Sequence, residues 1–203
     1  MLNEIGLLIA FEGIDGSGKG TQLRLLRNWL KKVGIPVVTF AQPSESIAGR
    51  ILRERAQRDQ RPIPEIELSL FIRDRREQAR KMIAPYLGKG YTVLLDRHFL
   101  SSVAYQGARG LDPETILRRN IRVAPIPDLT ILIDIDPEVA ISRIKQTRDT
   151  DAFERCEYLY LVRALYIEWA QKLENVVLID GNGSVKEVHS EIRSHVKNLL
   201  HME

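Results

Sequence analysis

GLLIAFEGIDGSGKGTQ, residues 6–22, decides how the rest of the chain is read. An apolar run, Leu7 to Phe11, feeds Gly13, Ile14, Asp15, Gly16, Ser17, Gly18, Lys19, Gly20 and Thr21, and an amphipathic helical pattern follows at once. This is a G-x-x-x-x-G-K loop between a strand and a helix, the pattern of a nucleoside-triphosphate site. Glycines let backbone N–H groups turn inward on phosphate oxygens, and a helix starting near Lys19 aims its positive end at the same anion. The Lys19 ammonium reaches the outer phosphates. A bare spacing of this kind also arises in glycine turns, but a strand before it and a helix after it point to phosphate binding.

The composition is that of an ordinary soluble domain, 44% hydrophobic and 28% charged. The 203 residues read as one domain, 1–203, able to bury a full core. No apolar run approaches the roughly 20 residues needed to span a bilayer. The first five residues carry no basic segment ahead of an apolar stretch, so they lead into the first strand and make a poor signal peptide. A single cysteine, Cys156, excludes an internal disulfide framework and suits the cytoplasm. The net charge of +3 favours small anionic substrates and is too weak to argue for nucleic acid; no membrane partner is expected.

Short apolar runs alternate with helical patterns from end to end. The strands expected are Ile5–Phe11, Pro36–Phe40, Thr92–Leu95, Leu129–Ile135 and Val176–Ile179, near-continuously hydrophobic as in parallel strands buried on both faces. Between them, Lys19–Val33 carries Leu23, Leu26, Leu30 and Val33 on one stripe. Glu65–Leu87 reads as one long helix with Ile66, Leu70, Ala79, Met82, Ile83 and Tyr86 inward. Tyr158, Leu161, Leu165, Trp169 and Leu173 form a third stripe. Such alternation predicts right-handed βαβ units in a three-layer α/β domain, whose ligands sit beyond the carboxyl ends of the strands. Gly13–Lys19 and Asp96-Arg97 both fall there.

Four further segments carry candidate chemistry. Asp96 closes the third strand beside the glycine loop, where a carboxylate holds Mg²⁺ directly or through water, and Arg97 offers a planar fork to a phosphate; a plain ion pair is the alternative. Phe71 and Arg75 lie four apart on one helix face, placing a ring for base stacking beside a guanidinium, although on the residues alone 73–77 read more readily as a solvated charged face. Tyr105 and Gln106 follow Ser101-Ser102; buried, they require hydrogen-bond partners, from a nucleoside or from the core. His98 reads as structural. Residues 143–155 are highly charged, either a solvated loop or a basic lid over phosphates.

In this order the segments resemble thymidylate kinase over about Leu7 to Ile192. FEGIDGSGKGTQ resembles that family's phosphate loop, SLFIRDRREQ its Phe-x-x-x-Arg helix, DRHFLSSVAYQGARGL its most specific signature, and PDLTILIDIDPEVAISRI its fourth strand and following helix. The resemblance implies a P-loop nucleoside-monophosphate-kinase fold with a five-stranded parallel sheet, order 2-3-1-4-5, an acceptor-binding helical region at about 43–87 and a lid at about 143–155. It implies transfer of the ATP γ-phosphoryl to dTMP with Mg²⁺, by a cytoplasmic homodimer. Gly13 to Thr21 would wrap the ATP phosphates, and Asp15 would sit near the acceptor sugar or the metal. Phe71 would stack on thymine, Arg75 and Arg97 would hold the monophosphate, and Tyr105 would crowd a 2′-OH. Gln106 and Ser102 would border base and sugar, and Asp96 would hold the metal or orient Arg97.

Some members carry an arginine where this chain has Gly16; members with glycine there take the cation from the lid, which makes Arg143, Arg148 and Arg155 the candidates and Arg148 the first choice. Three departures stand out. Gly20 replaces the common Ser or Thr after the loop lysine, Phe40-Ala41-Gln42-Pro43 replaces Thr-Arg-Glu-Pro, and Ala152 replaces an arginine in the lid. The same fold also serves kinases of dUMP or UMP, and a catalytically weak ATP-binding protein is a further alternative.

Overall fold

A computed structural model describes residues 6–145 and 152–202. Its strands are β1 (Leu8–Glu12), β2 (Val37–Ala41), β3 (Thr92–Asp96), β4 (Leu129–Asp134) and β5 (Val176–Asp180). All pair in parallel, in the order β2-β3-β1-β4-β5. The helices are α1 (Lys19–Lys32), α2 (Ile47–Gln57), α3 (Pro64–Gln78), α4 (Ala84–Leu87), α5 (Phe99–Gly107), α6 (Pro113–Ile121), α7 (Pro137–Lys145), α8 (Ala152–Ala170) and α9 (Val185–Leu199), with a π-helical turn, Ala79–Ile83, joining α3 to α4. No helix among the described residues is long and apolar enough to cross a membrane.

Strand alternation divides the core. Ile9 and Phe11 of β1, Leu94, Ile131 and Ile179 face Leu23, Leu26 and Leu30 of α1 and Val188, Ile192 and Val196 of α9. Leu8, Ala10, Val93 and Leu95 point to the other face, against Ala79 and Ile83. Farther along that face, Leu132 meets α5 and α8 through Val103, Val162 and Tyr166. The outcome is the three-layer arrangement, with sequential elements feeding right-handed crossovers.

Several inward positions differ from the periodicity. Val33 is exposed, and α1 has ended one residue earlier. In α8 the buried stripe is Leu159, Val162, Tyr166 and Trp169, one residue on from the Leu161 expected, which is exposed. Ile66 and Met82 are also exposed, because α3 turns a different face inward: Glu67, Leu68, Ile72, Asp74, Arg75 and Gln78. The charged segment 73–77 is therefore not a solvated face at Asp74 and Arg75, which are 0% and 1% exposed. The extra residue of the π turn then restores Ile83 to the core, as such turns do near functional sites.

Asp74 fixes the entry to α2. One carboxylate oxygen accepts the Ser44 backbone N–H at 2.9 Å, and the other accepts the hydroxyls of Ser44 and, at 2.6 Å, Ser46. Ser46 in turn caps α2 through Gly49 N–H. A Cβ at Gly49 would lie 2.0 Å from the Ser44 carbonyl oxygen and 2.8 Å from Asp74 Oδ1. Gly49→Ala is therefore expected to destabilise the protein by about 1–3 kcal/mol, read from the urea unfolding midpoint.

Candidate active site

The carboxyl ends of β1 and β3 bring two cations to one anion. The loop 13–18 turns on positive-φ glycines; Gly18 (φ 88°) caps α1, and a Cβ at Gly13 (φ 138°) would lie 2.5 Å from the Ile133 carbonyl oxygen. Lys19 opens α1 and is buried, its Nζ donating to the Ile14 carbonyl at 3.3 Å and lying 3.6 Å from Asp15 Oδ1. Arg97 follows β3 directly. Its Nη2 donates to the same Asp15 Oδ1 at 2.7 Å and to the Tyr105 hydroxyl at 3.1 Å, and its guanidinium lies 4.9 Å from the Tyr105 ring centre. Its Nη1 donates to Ser101 Oγ at 3.0 Å and to the Tyr166 hydroxyl at 3.2 Å.

Beside this pair opens a cavity of about 220 Å³ whose walls include Asp15, Gln42, Arg53, Arg61, Glu67, Phe71, Arg75, Arg97, Ser102, Tyr105 and Gln106. Phe71, Arg75, Ser102, Tyr105 and Gln106, the residues that the family resemblance assigns to the acceptor, thus line one cavity. Arg75 is largely committed within the protein. Its Nε donates to Gln42 Oε1 at 2.9 Å, Nη1 to Ser102 Oγ at 3.2 Å and to Asn120 Oδ1, and Nη2 to the His98 carbonyl at 2.9 Å. Gln42, one of the departures noted above, is itself held by Gln78, whose Oε1 accepts from Gln42 Nε2 at 3.0 Å. Gln106 Nε2 donates to Glu67 Oε2 at 3.0 Å, while its Oε1 is buried without a partner. Arg109 shares that Glu67 oxygen at 2.7 Å and also ties down the Pro62 carbonyl.

Asp96 stands at the junction of loop and cavity. Its Oδ1 is buried and unpartnered, and its Oδ2 lies 3.8 Å from where a Gly20 Cβ would stand. No group of three or more His, Cys, Asp or Glu residues suited to a metal occurs among the described residues. Asp15 differs from Asp96, its Oδ1 lying between two cations. Arg143 of α7 reaches the Gly16 carbonyl at 3.4 Å and the Gly181 carbonyl at 3.3 Å. A Cβ at Gly16 (φ 86°) would lie 2.6 Å from the Ala140 carbonyl, so this backbone leaves little room for a side chain there. Arg148 lies outside the described residues, as does the side chain of Arg155.

The electrostatics follow the geometry. Burial and then the neighbouring Arg97 bring Lys19 down to about 8, against the pull of Asp15, Asp96 and Glu12. At Asp15 desolvation opposes ionisation, but Arg97 and Lys19 outweigh it and hold the carboxyl well below its usual range. Burial, then Arg75, brings His98 to about 3. Its neutral ring faces the Pro125 carbonyl through Nε2 at 3.0 Å, which suits a structural role and not a proton carrier.

Residues not singled out from the sequence are Glu12, Glu67, Asn120, Tyr166 and the arginines at 53 and 61, and Gln42 was noted only as a departure from the family pattern. Glu12 had a legible signal: it closes the buried first strand just as Asp96 closes the third. The others come from α2, α3, α6, α8 and the loops after β2 and before α3, elements that only the folded packing brings to the cavity or to the arginines that line it.

The family model described as thymidylate kinase matches residues 11–192. A probable thymidylate kinase of Archaeoglobus fulgidus is 39% identical over 197 residues, covering 97% of this chain and 98% of that protein. A thymidylate kinase of Akkermansia muciniphila is 40% identical over 192 residues (93% and 90%), and one of Desulfotalea psychrophila is 38% identical over 204 residues, each chain covered in full.

The Lys19 ammonium is the form that attracts phosphate, so protons bound at Lys19 favour nucleotide binding. ATP affinity is expected to hold steady below the value of about 8 and to weaken above it by up to about tenfold per pH unit. Calorimetric titration from about pH 6.5 to 9.5 measures the profile, and Lys19→Arg, whose cation does not titrate there, flattens it.

Proposed function

The chain belongs to the thymidylate kinase family, and from that membership and the cleft geometry we propose how its own residues run the family's reaction. The enzyme is a phosphotransferase that moves the γ-phosphoryl of ATP to dTMP, giving dTDP and ADP. The observation that carries the mechanistic reading is the single oxygen, Asp15 Oδ1, met by Lys19 from the loop and Arg97 from the end of β3. Phosphoryl transfer needs two polyanions aligned and their spread charge neutralised, with little acid–base chemistry. Two fixed cations converging on one point supply that neutralisation where donor and acceptor meet.

The roles follow from position. Gly13 to Thr21 cradle the ATP phosphates, with Lys19 on the outer ones and Arg143 on the donor side. Arg97 takes the acceptor phosphate and bridges toward the migrating group, displacing part of its contact with Asp15. Asp15 is then free to meet the sugar hydroxyl. Phe71 stacks on the base, and Tyr105 walls the 2′ position.

Arg75, with four of its five N–H groups spent on Gln42, Ser102, Asn120 and His98, serves the acceptor as a fixed wall bearing one remaining donor. The phosphate-gripping role expected of it falls to Arg97. Glu67 fixes the Gln106 amide and leaves its bare Oε1 to accept from the bound base. Thymine and uracil present N3–H at that edge, whereas cytosine presents an acceptor.

The buried, unpartnered Asp96 Oδ1 fits Mg²⁺, which is commonly held by one or two carboxylates together with substrate phosphates. Bound there, the ion would neutralise charge on the nucleotide phosphates. Asp15, already between two cations, suits it less. We also propose that residues 1–203 form one cytoplasmic kinase domain, with residues 43–87 holding the acceptor and 143–155, Arg148 included, closing over the donor. The homodimer implied by the family draws support from Ile47 and Ile51 of α2 and Ile66 of α3, all exposed. Sedimentation velocity is expected to give twice the chain mass, and Ile47→Asp with Ile66→Asp to give the monomer.

ADP release assayed with dTMP, dUMP, UMP, dCMP and AMP tests the reading. The highest kcat/KM is expected for dTMP and almost none for dCMP. Arg97→Ala is expected to lower kcat by about 10³-fold or more while ATP still binds; normal turnover in that variant removes Arg97 from the mechanism.

A further inference from the structure

We propose that Glu12 is the positioning residue for Arg97, its buried carboxylate acting through the hydroxyls of Ser101 and Tyr166 to set where the guanidinium points. The proposal rests on the kinase reading above, because it assigns Glu12 a task only where Arg97 meets the transferred group.

Glu12 ends β1 and is 0% exposed. The hydrogen bonds described for it come from neutral donors. Oε1 accepts the backbone N–H of His98 at 2.8 Å and of Ser101 at 3.1 Å; Oε2 accepts the Ser101 hydroxyl at 2.5 Å and the Tyr166 hydroxyl at 3.1 Å. A carboxylate is tolerated at such depth only when donors surround it. Two of these donors belong to the opening of α5, so Glu12 caps that helix from a strand distant in sequence and sits at its positive end.

The two hydroxyls make the cap directional. A hydroxyl has one proton to give. Ser101 gives its proton to Glu12 Oε2, which leaves a lone pair to accept Arg97 Nη1 at 3.0 Å. Tyr166 joins the same cluster, its hydroxyl lying 3.1 Å from Oε2 and 2.8 Å from Ser101 Oγ and accepting Nη1 at 3.2 Å. Burial, and then Glu12 itself, holds the Tyr166 phenol well above its ordinary value, so its proton stays in place. One edge of the guanidinium is thereby fastened to two lone pairs, and Nη2 is left facing Asp15 and the cleft. Without the anion, both hydroxyls can turn their protons toward Arg97, and the fastening is lost.

Backbone geometry points to the same residue. Arg97 has φ 69°, left-handed and unusual for a side-chain-bearing residue. The peptide groups on either side of its Cα are held, Arg97 N–H by the Phe11 carbonyl at 2.9 Å and His98 N–H by Glu12. Residues 11 and 12 of β1 thus secure the turn that aims the arginine.

A positioning role differs from a merely structural one in what it moves. Glu12→Gln keeps the shape but replaces one acceptor by a donor, and it is expected to lower kcat with dTMP by about 10²-fold while the KM for ATP stays within about twofold. Tyr166→Phe removes one arm and is expected to lower kcat by about three- to tenfold. In an Arg97→Lys background, Glu12→Gln is expected to add less than about twofold, because its target is already altered. An equal loss in both backgrounds, or wild-type kcat in Glu12→Gln, overturns the proposal. Wild-type kcat in Tyr166→Phe overturns it as well, even should Glu12→Gln fail to fold. Absence of any dTMP-dependent ADP release by the unaltered enzyme, measured first, would instead sink the kinase reading and the proposal with it.

Discussion

Two cations that would repel each other are held within 3.6 Å of one carboxylate oxygen, and the rest of the structure is arranged to keep them there. Lys19 is placed by the loop and the first turn of α1. Arg97 is placed by the end of β3 and a left-handed backbone turn. Because β1 and β3 are neighbours in the sheet, with Phe11 in register with Asp96, the residues just beyond each strand must meet. Parallel pairing thus converts two sites separated by 78 positions in the chain into one electrostatic centre. Asp15 Oδ1 is the anion on which the two cations converge.

Three buried acidic side chains support this centre at increasing distance. Glu12 secures the turn at Arg97 and the opening of α5. Glu67 fixes Gln106 and, through Arg109, the loop before α3. Asp74 fixes the loop entering α2. Each accepts several hydrogen bonds from groups that would otherwise be unsatisfied, so burial of the charge is offset locally. Of the three only Glu67 lines the cavity itself; Glu12 and Asp74 hold in place residues that line it or adjoin those that do.

The same fact explains what the sequence revealed and what it concealed. The strands and the loop at Gly13–Lys19 were legible because buried strands and a glycine-rich strand-to-helix turn each impose a strict local pattern, whereas the strand order came only from the family resemblance. Phe71, Tyr105 and Gln106 were legible from their resemblance to a family motif. The inward face of α3 was not, because apolar periodicity assumes an apolar interior. There the helix turns Glu67, Asp74 and Arg75 inward and leaves Ile66 in solvent. Tyr166 was hidden for a related reason: the stripe of α8 is offset by one residue, and its hydroxyl finds partners on β1 and α5 that only the assembled layers bring near. Glu12 could have been found, since a single carboxylate closing an apolar strand beside a phosphate loop was read as meaningful at Asp96.

Lys19 and Arg97 are proposed to share one centre at which donor and acceptor phosphates meet. Adenosine and thymidine joined through five phosphates form a probe that spans both sites at once. Calorimetry with this probe should show binding at least about 10²-fold tighter than ATP, because one molecule gains both sets of contacts. Replacing either Lys19 or Arg97 by alanine should abolish that advantage. A probe that binds no more tightly than ATP, with an affinity indifferent to Arg97, would place the two cations in separate sites and contradict the account.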